Sequence, residues 1–200
     1  MKRIIMHWTA GGNRATDIDR SHYHFIVEGD GNIVEGIHRP EANAGVLKLG
    51  RYAAHTLNCN TGSIGVAVAA MLGAQEKPFS AGRHPITKAQ VEALAMLCAS
   101  LCRAYKIDVR RDTVLSHAEV QPTLGIVQRG KWDIAWLPGM DKPGNPVAVG
   151  DRLRDLIHER VRPVFRPSPT ISPPSTTPAP ATGLFAAIMA ALKSIFGGTR

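Results

Sequence analysis

With 200 residues, 44% of them hydrophobic, the chain has room for one well-cored domain with an appendage, or at most two small domains. Its 24 Lys and Arg against 16 Asp and Glu give a net charge of +8, which favours anionic surroundings such as nucleic acid, anionic lipid or acidic cell wall without choosing among them. Three Cys, an odd number with Cys98 and Cys102 in an apolar-periodic stretch, argue against a secreted disulfide framework, and no run approaches the roughly 18 apolar residues of a spanning helix.

At the start, Lys2 and Arg3 are followed only by Ile4, Ile5 and Met6 before His7, short of the about 7 to 15 apolar residues of a secretory signal. The expectation is a chain made in the cytoplasm that opens at once with a strand over 2–7. His24 to Val27 and Asn32 to Gly36 read as a hairpin around Gly29-Asp30-Gly31, and Ile64 to Ala70 as a buried strand. Thr87-Lys88-Ala89-Gln90 is a capping box, after which Val91, Leu94, Ala95, Cys98, Leu101, Cys102 and Tyr105 repeat at three and four residues, as a helix requires. Thr113 to His117 reads as another short strand, and Asp151 to Val161 as a helix stopped by Pro163. This order predicts an α/β fold: a single domain over 1–162 with a central mixed β-sheet flanked by helices.

Composition then changes. Seven prolines fall among residues 163–182 with Ser and Thr between them, a linker that cannot pack a core. Residues 183–200 follow as an amphipathic helix: Leu184, Phe185, Ile188, Met189, Leu192, Ile195 and Phe196 share about 140° of its circumference. At roughly 20 Å such a helix is too short to cross a hydrocarbon core of about 30 Å, so it is expected to lie in a membrane interface.

Eight His invite the question of metal, but no His-x-x-x-His or Cys-x-x-Cys occurs. Placement says more. His7 and His117 each close a predicted strand and open into a loop, where sites gather in open α/β sheets; a satisfied histidine at a sheet rim has the same signature. Zinc would need a third ligand, and Asp133 is a candidate without local spacing to recommend it.

His7-Trp8-Thr9-Ala10, Tyr23-His24-Phe25-Ile26-Val27 followed by Asp30-Gly31, Ser63-Ile64-Gly65-Val66, His117-Ala118-Glu119-Val120 and Lys131-Trp132-Asp133 occur in one order. In this the chain resembles zinc-dependent N-acetylmuramoyl-L-alanine amidases of the type that includes phage amidase-lysozymes and peptidoglycan recognition proteins, over roughly residues 2–161. The resemblance implies one Zn2+ bound by His7, His117 and Asp133, catalytic assistance from Tyr23 and Lys131, and a substrate groove along His55 and Asn58. It also implies peptidoglycan as the partner, with no role for nucleic acid, and a monomer acting as a bacteriolytic endolysin on the wall once the membrane opens.

Lys131 and Asp133 would face the same side if the segment is extended, which lets the ammonium reach an oxyanion; a solvated surface lysine and a half-buried strand tyrosine are the plainer readings of Lys131 and Tyr23. Glu119 is expected either to orient the His117 ring as a hydrogen-bond acceptor or to form a surface salt bridge. Cys98 and Cys102 read as buried small hydrophobes. Trp8, Trp132 and Trp136 flank the expected ligands, where they either shield a metal or stack on sugars; for two of them core packing is expected.

Two departures stand out. Part of the family has a Glu where this chain has Ala67, so the general base is left open, and the segment Gly11 to Ser21 leaves little room for the helix that often precedes the tyrosine. Two other function classes compete: a peptidoglycan-binding module without catalysis, which the presence of Asp133 and Lys131 disfavours, and a membrane-active protein whose C-terminal helix is the effector at an anionic surface.

Overall fold

The computed structural model describes residues 1–161, so the linker, the amphipathic segment and its residues Leu184, Phe185, Ile188, Met189, Leu192, Ile195 and Phe196 lie outside the described residues. Five strands form one sheet: β1 (Arg3–Trp8), β2 (Phe25–Val27), β3 (Ile33–Glu35), β4 (Ser63–Val68) and β5 (Val114–Ser116), in the order β3-β2-β4-β1-β5. β1 runs parallel to both β4 and β5, β2 is parallel to β4, and only β3 is antiparallel, closing the hairpin. The mixed sheet is as expected. Its two central strands are near-continuous apolar runs because both of their faces are covered.

Alternation along β1 sorts the molecule into layers. Ile4, Met6 and Trp8 pack with Val66, Val68, Leu94, Cys98, Leu101, Leu153 and Ile157 beneath two long helices, α2 (Lys88–Tyr105) and α4 (Pro146–Val161). Ile5 points the other way, into a small cluster with Cys59, Leu115 and Val120. His7 shares that parity, so it rises on the lightly covered face, at the carboxyl end of a parallel strand. All three cysteines are buried and unpaired in disulfides, as the sequence implied.

Helix α2 starts as read: Thr87 Oγ1 accepts from Gln90 N at 3.0 Å and Gln90 Oε1 accepts from Thr87 N at 3.0 Å. Three local expectations need correction. A helix does fit before the tyrosine: α1 (Asp17–His22) forms because Thr16 and Asp19 make a capping box, with Asp19 in place of the usual Glu or Gln. Helix α4 begins at Pro146 rather than Asp151, since Asn145 Oδ1 accepts from Val147 N at 3.0 Å and Ala148 N at 3.2 Å with Pro146 in the first turn. The strand expected to end at His117 ends at Ser116, and His117 is instead the first residue of α3 (His117–Leu124).

Candidate active site

His7 comes from β1, His117 from the first turn of α3, and Asp133 from the loop after it. The folding chain brings all three together. His7 Nδ1 stands 3.0 Å from His117 Nδ1, Asp133 Oδ2 lies 3.2 Å from His117 Nδ1 and 3.5 Å from His7 Nδ1. Tetrahedral ligands at metal–ligand lengths of about 2.0 to 2.2 Å would be about 3.3 to 3.6 Å apart. The triangle matches that edge to within a few tenths of an ångström, so this donor set fits a zinc-sized ion. Two imidazole nitrogens in mutual contact also have no good arrangement of protons alone, because each can be donor or acceptor but the carboxylate can only accept. Among the described residues these three form the group that could hold a metal.

Electrostatics agree with the geometry. Burial pushes His7 down to about 4, against its contact with the Asp133 carboxylate and helped by the neighbouring His117, so its ring is neutral and has a lone pair to give. Burial alone would raise Asp133, but its close contacts with the His117 and His7 rings outweigh that and hold the carboxylate well below the usual range. Immediately after it Ile134 sits at φ 64, a costly conformation for a β-branched residue, and Ala118 N donates to Asp133 O at 3.2 Å. The strained turn and that bond hold the backbone at Asp133.

The triad opens on a groove of about 570 Å³ lined by Trp8, Tyr23, Tyr52, His55, Thr56 and Lys131 among others. Tyr23 is the C-cap of α1 and its ring centroid lies 5.2 Å from that of His7. Burial, then the charges of Asp133 and Asp19, push its phenol far above the ordinary value, so it is a hydrogen-bond donor at neutral pH and not a base. Lys131 is exposed on the groove wall, close enough for its charge to bear on His7. Trp8 and Trp132 pack edge to face with centroids 4.5 Å apart beside the triad, whereas Trp136 is core and donates to Met140 O.

His55 is in the groove but behind His7: its Nδ1 is 3.2 Å from His7 Nε2 and 2.8 Å from Thr56 Oγ1. It lies over Gly65, where an added Cβ would meet the His55 ring at 2.5 Å. Asn58 does not line the groove. It is an exposed turn residue at φ 54, and the asparagine that shapes this wall is Asn60, whose Oδ1 accepts from His55 N and Thr56 N at 3.0 and 2.8 Å. Glu119 touches neither the His117 ring nor the surface. Fully buried, it accepts from Ser116 N at 2.8 Å and pairs with Arg154 at 2.7 Å, because the capping position of α3 points it inward. The His117 ring is met instead by Gln128, whose Oε1 is 2.9 Å from His117 Nε2. No spacing rule announces Gln128, which reaches His117 only because the loop after α3 folds back. Ala67 is buried and in register with His7, so no carboxylate stands at that position.

The sequence model of a family described as N-acetylmuramoyl-L-alanine amidase matches residues 1–140. Among solved structures, the chain is similar to the hydrolase AmiA of Staphylococcus aureus in complex with its ligand, at 18% identity and a TM-score of 0.49 over 80% of this chain and 72% of that one. It is also similar to the N-acetylmuramoyl-L-alanine amidase LysC from Clostridium intestinale, at 18% identity and a TM-score of 0.44 over 76% and 85% of the two chains. The Ph2119 endolysin from a Thermus scotoductus bacteriophage shares 19% identity and a TM-score of 0.40 over 60% and 73%. No curated protein matches.

Proposed function

Because the chain belongs to the N-acetylmuramoyl-L-alanine amidase family and is a peptidoglycan amidase, we propose that it is a zinc-dependent one, with His7, His117 and Asp133 as the ligands and Tyr23 and Lys131 as the catalytic pair. The observation that supports this most is the convergence of two imidazole nitrogens and one carboxylate oxygen, drawn from a strand, a helix start and a loop, at the mouth of a single groove. The bond cut is the amide between the lactyl group of N-acetylmuramic acid and L-alanine.

Zinc bound there supplies a Lewis acid and a water whose pKa falls toward about 7. The protein's part follows from its own geometry. Asp133 and the two imidazoles are buried, so the surrounding fold holds the donor set in place. Tyr23, kept protonated, donates a hydrogen bond to the scissile carbonyl or to the attacking water. Lys131 places an ammonium on the groove wall, where it meets the charge that develops on the tetrahedral oxyanion. Ala67 stands, buried and in register with His7, where part of the family has a carboxylate, so that position supplies no proton acceptor for the water.

An endolysin role, with attraction to anionic membrane through residues 183–200, is part of the same proposal and rests on sequence composition, since those residues lie outside the described ones. The site itself is tested by His7→Ala, His117→Ala and Asp133→Ala. Each is expected to lower bound zinc and abolish wall hydrolysis; a variant with wild-type zinc content and activity would remove that residue from the ligand set.

A further inference from the structure

Gln128 is 3% exposed, and its amide has only one workable orientation. Nε2 donates to Leu57 O at 2.9 Å and to Ile126 O at 3.3 Å. Both partners are backbone carbonyls, which can only accept, so the nitrogen end of the amide must face them and the oxygen end must face His117. Oε1 lies 2.9 Å from His117 Nε2. An amide oxygen accepts and cannot donate, so the contact is a hydrogen bond only if Nε2 bears the proton. In a neutral imidazole that leaves Nδ1 bare, and Nδ1 is the atom 3.0 Å from His7 Nδ1 and 3.2 Å from Asp133 Oδ2.

We infer that Gln128 is a positioning residue for the metal, one that imposes the Nε2–H tautomer on His117 and aims its Nδ1 lone pair into the ligand triangle. The inference rests on the proposed zinc site and deepens it. Gln128 is itself held from both sides: its backbone N donates to Gln121 Oε1 at 3.0 Å from α3, and the bond to Leu57 ties the loop after α3 to the wall that contains His55 and Thr56. The two groove walls and the protonation pattern of one ligand are therefore joined through a single side chain. His7 differs, since its Nε2 meets two groups, His55 Nδ1 at 3.2 Å and Thr56 Oγ1 at 3.3 Å, either of which can serve. His117 has no such substitute among the described residues.

Two substitutions separate the acceptor role from mere packing. Gln128→Glu keeps an acceptor oxygen for His117 and loses the donor to Leu57 and Ile126, whereas Gln128→Leu keeps the bulk and loses both. Zinc affinity, measured by competition with a chromophoric chelator, is expected to fall about 10- to 100-fold in Gln128→Leu and to stay within about threefold of wild type in Gln128→Glu. Thermal unfolding of the metal-free proteins is expected to be lowered in both, because both orphan the two carbonyls. Wild-type affinity in Gln128→Leu, or an equal loss in both variants, would overturn the inference.

A measurement on the unmodified protein keeps it falsifiable should Gln128→Leu fail to fold. Long-range proton–nitrogen spectra of the zinc-loaded chain are expected to show His117 protonated on Nε2, and protonation on Nδ1 would overturn the inference. If the wild-type chain takes up no zinc at all, the metal reading falls and this inference with it. If it takes up zinc and only the Gln128 expectations fail, the inference alone is lost.

Discussion

In the proposed reaction Lys131 supplies an ammonium and Tyr23 a neutral hydrogen-bond donor, and their substitutions are expected to separate. The Lys131 ammonium gains a partner only as the oxyanion forms, so Lys131→Ala is expected to keep zinc and wall binding while kcat falls on the order of 100-fold or more. A raised KM with unchanged kcat would make Lys131 a binding residue. Tyr23→Phe removes a neutral donor and is expected to cost less. Buried histidines make a second prediction. The His24 ring accepts from Gly65 N at 2.9 Å and meets Asn43 Oδ1 at 3.1 Å, and burial pushes it down to about 4 against those bonds. His7 is likewise pushed down to about 4. In the unfolded chain both titrate near 6.5, so the unfolded state binds more protons between those values. The share of stability that these two neutral rings contribute to the metal-free protein is therefore fully present above pH of about 6.5 and lost as pH falls through about 4. Thermal melts in chelator across that range check it, and a flat profile would mean that these rings are not held neutral. Residue by residue, the meeting of His7, His117 and Asp133, and the presence of Tyr23 and Lys131 on the groove beside them, follow the order of the motifs. The places of Gln128, Thr56 and Asn60 carry no such signal, because loops that fold back from distant positions set them, and turn geometry puts Asn60 rather than Asn58 on the groove.

At the scale of elements, the strands were legible because burial on both faces leaves a plain apolar signature, and helix α2 because its capping box and periodicity agree. The misread elements share one cause: a short polar cap outweighed a weak apolar pattern. Thr16 with Asp19 starts α1, and Asn145 with Pro146 starts α4, where Gly150 and the polar residues that follow hide the first turn. Gly150 has a further use. A Cβ there would lie 2.0 Å from Glu119 Oε2, so the helix α4 must present a glycine for the buried Glu119–Arg154 pair to form against it. Gly150→Ala is expected to displace that carboxylate from Arg154 on α4 and from Ser116 N at the start of the helix that holds His117. Leaving such a pair broken costs about 3 kcal/mol or more, which chemical denaturation reads directly; a loss below about 0.5 kcal/mol, typical of a neutral surface change, would mean that the pair moves freely. Thr87→Ala, which removes a cap and nothing of the site, is expected to cost about 1 kcal/mol and leave kcat unchanged.

Over residues 1–161, the sheet places His7 and the groove on one face and the bulk of the hydrophobic core on the other, so the groove can be open without weakening the fold. The order of elements announces the mixed sheet, its flanking helices and a site at the strand ends, whereas the loops that cover one face carry no such signal. The proposed division of the chain into a catalytic domain over 1–162, a linker over 163–182 and an amphipathic segment over 183–200 has a direct consequence. A chain ending at Arg162 is expected to unfold cooperatively and still cut purified peptidoglycan, while losing any binding to anionic vesicles that the intact protein shows at low salt. Retained vesicle binding would move the lipid contact to the catalytic domain. The claim on which everything else depends is that this chain hydrolyses the muramoyl–alanine amide with a metal held by His7, His117 and Asp133. Digestion of purified cell wall, with and without a chelator, followed by end-group and mass analysis, tests it most directly. The expected result is release of free N-terminal L-alanine without new reducing sugar ends, abolished by the chelator and restored by zinc. New reducing ends, or amide cleavage indifferent to the chelator, would contradict it.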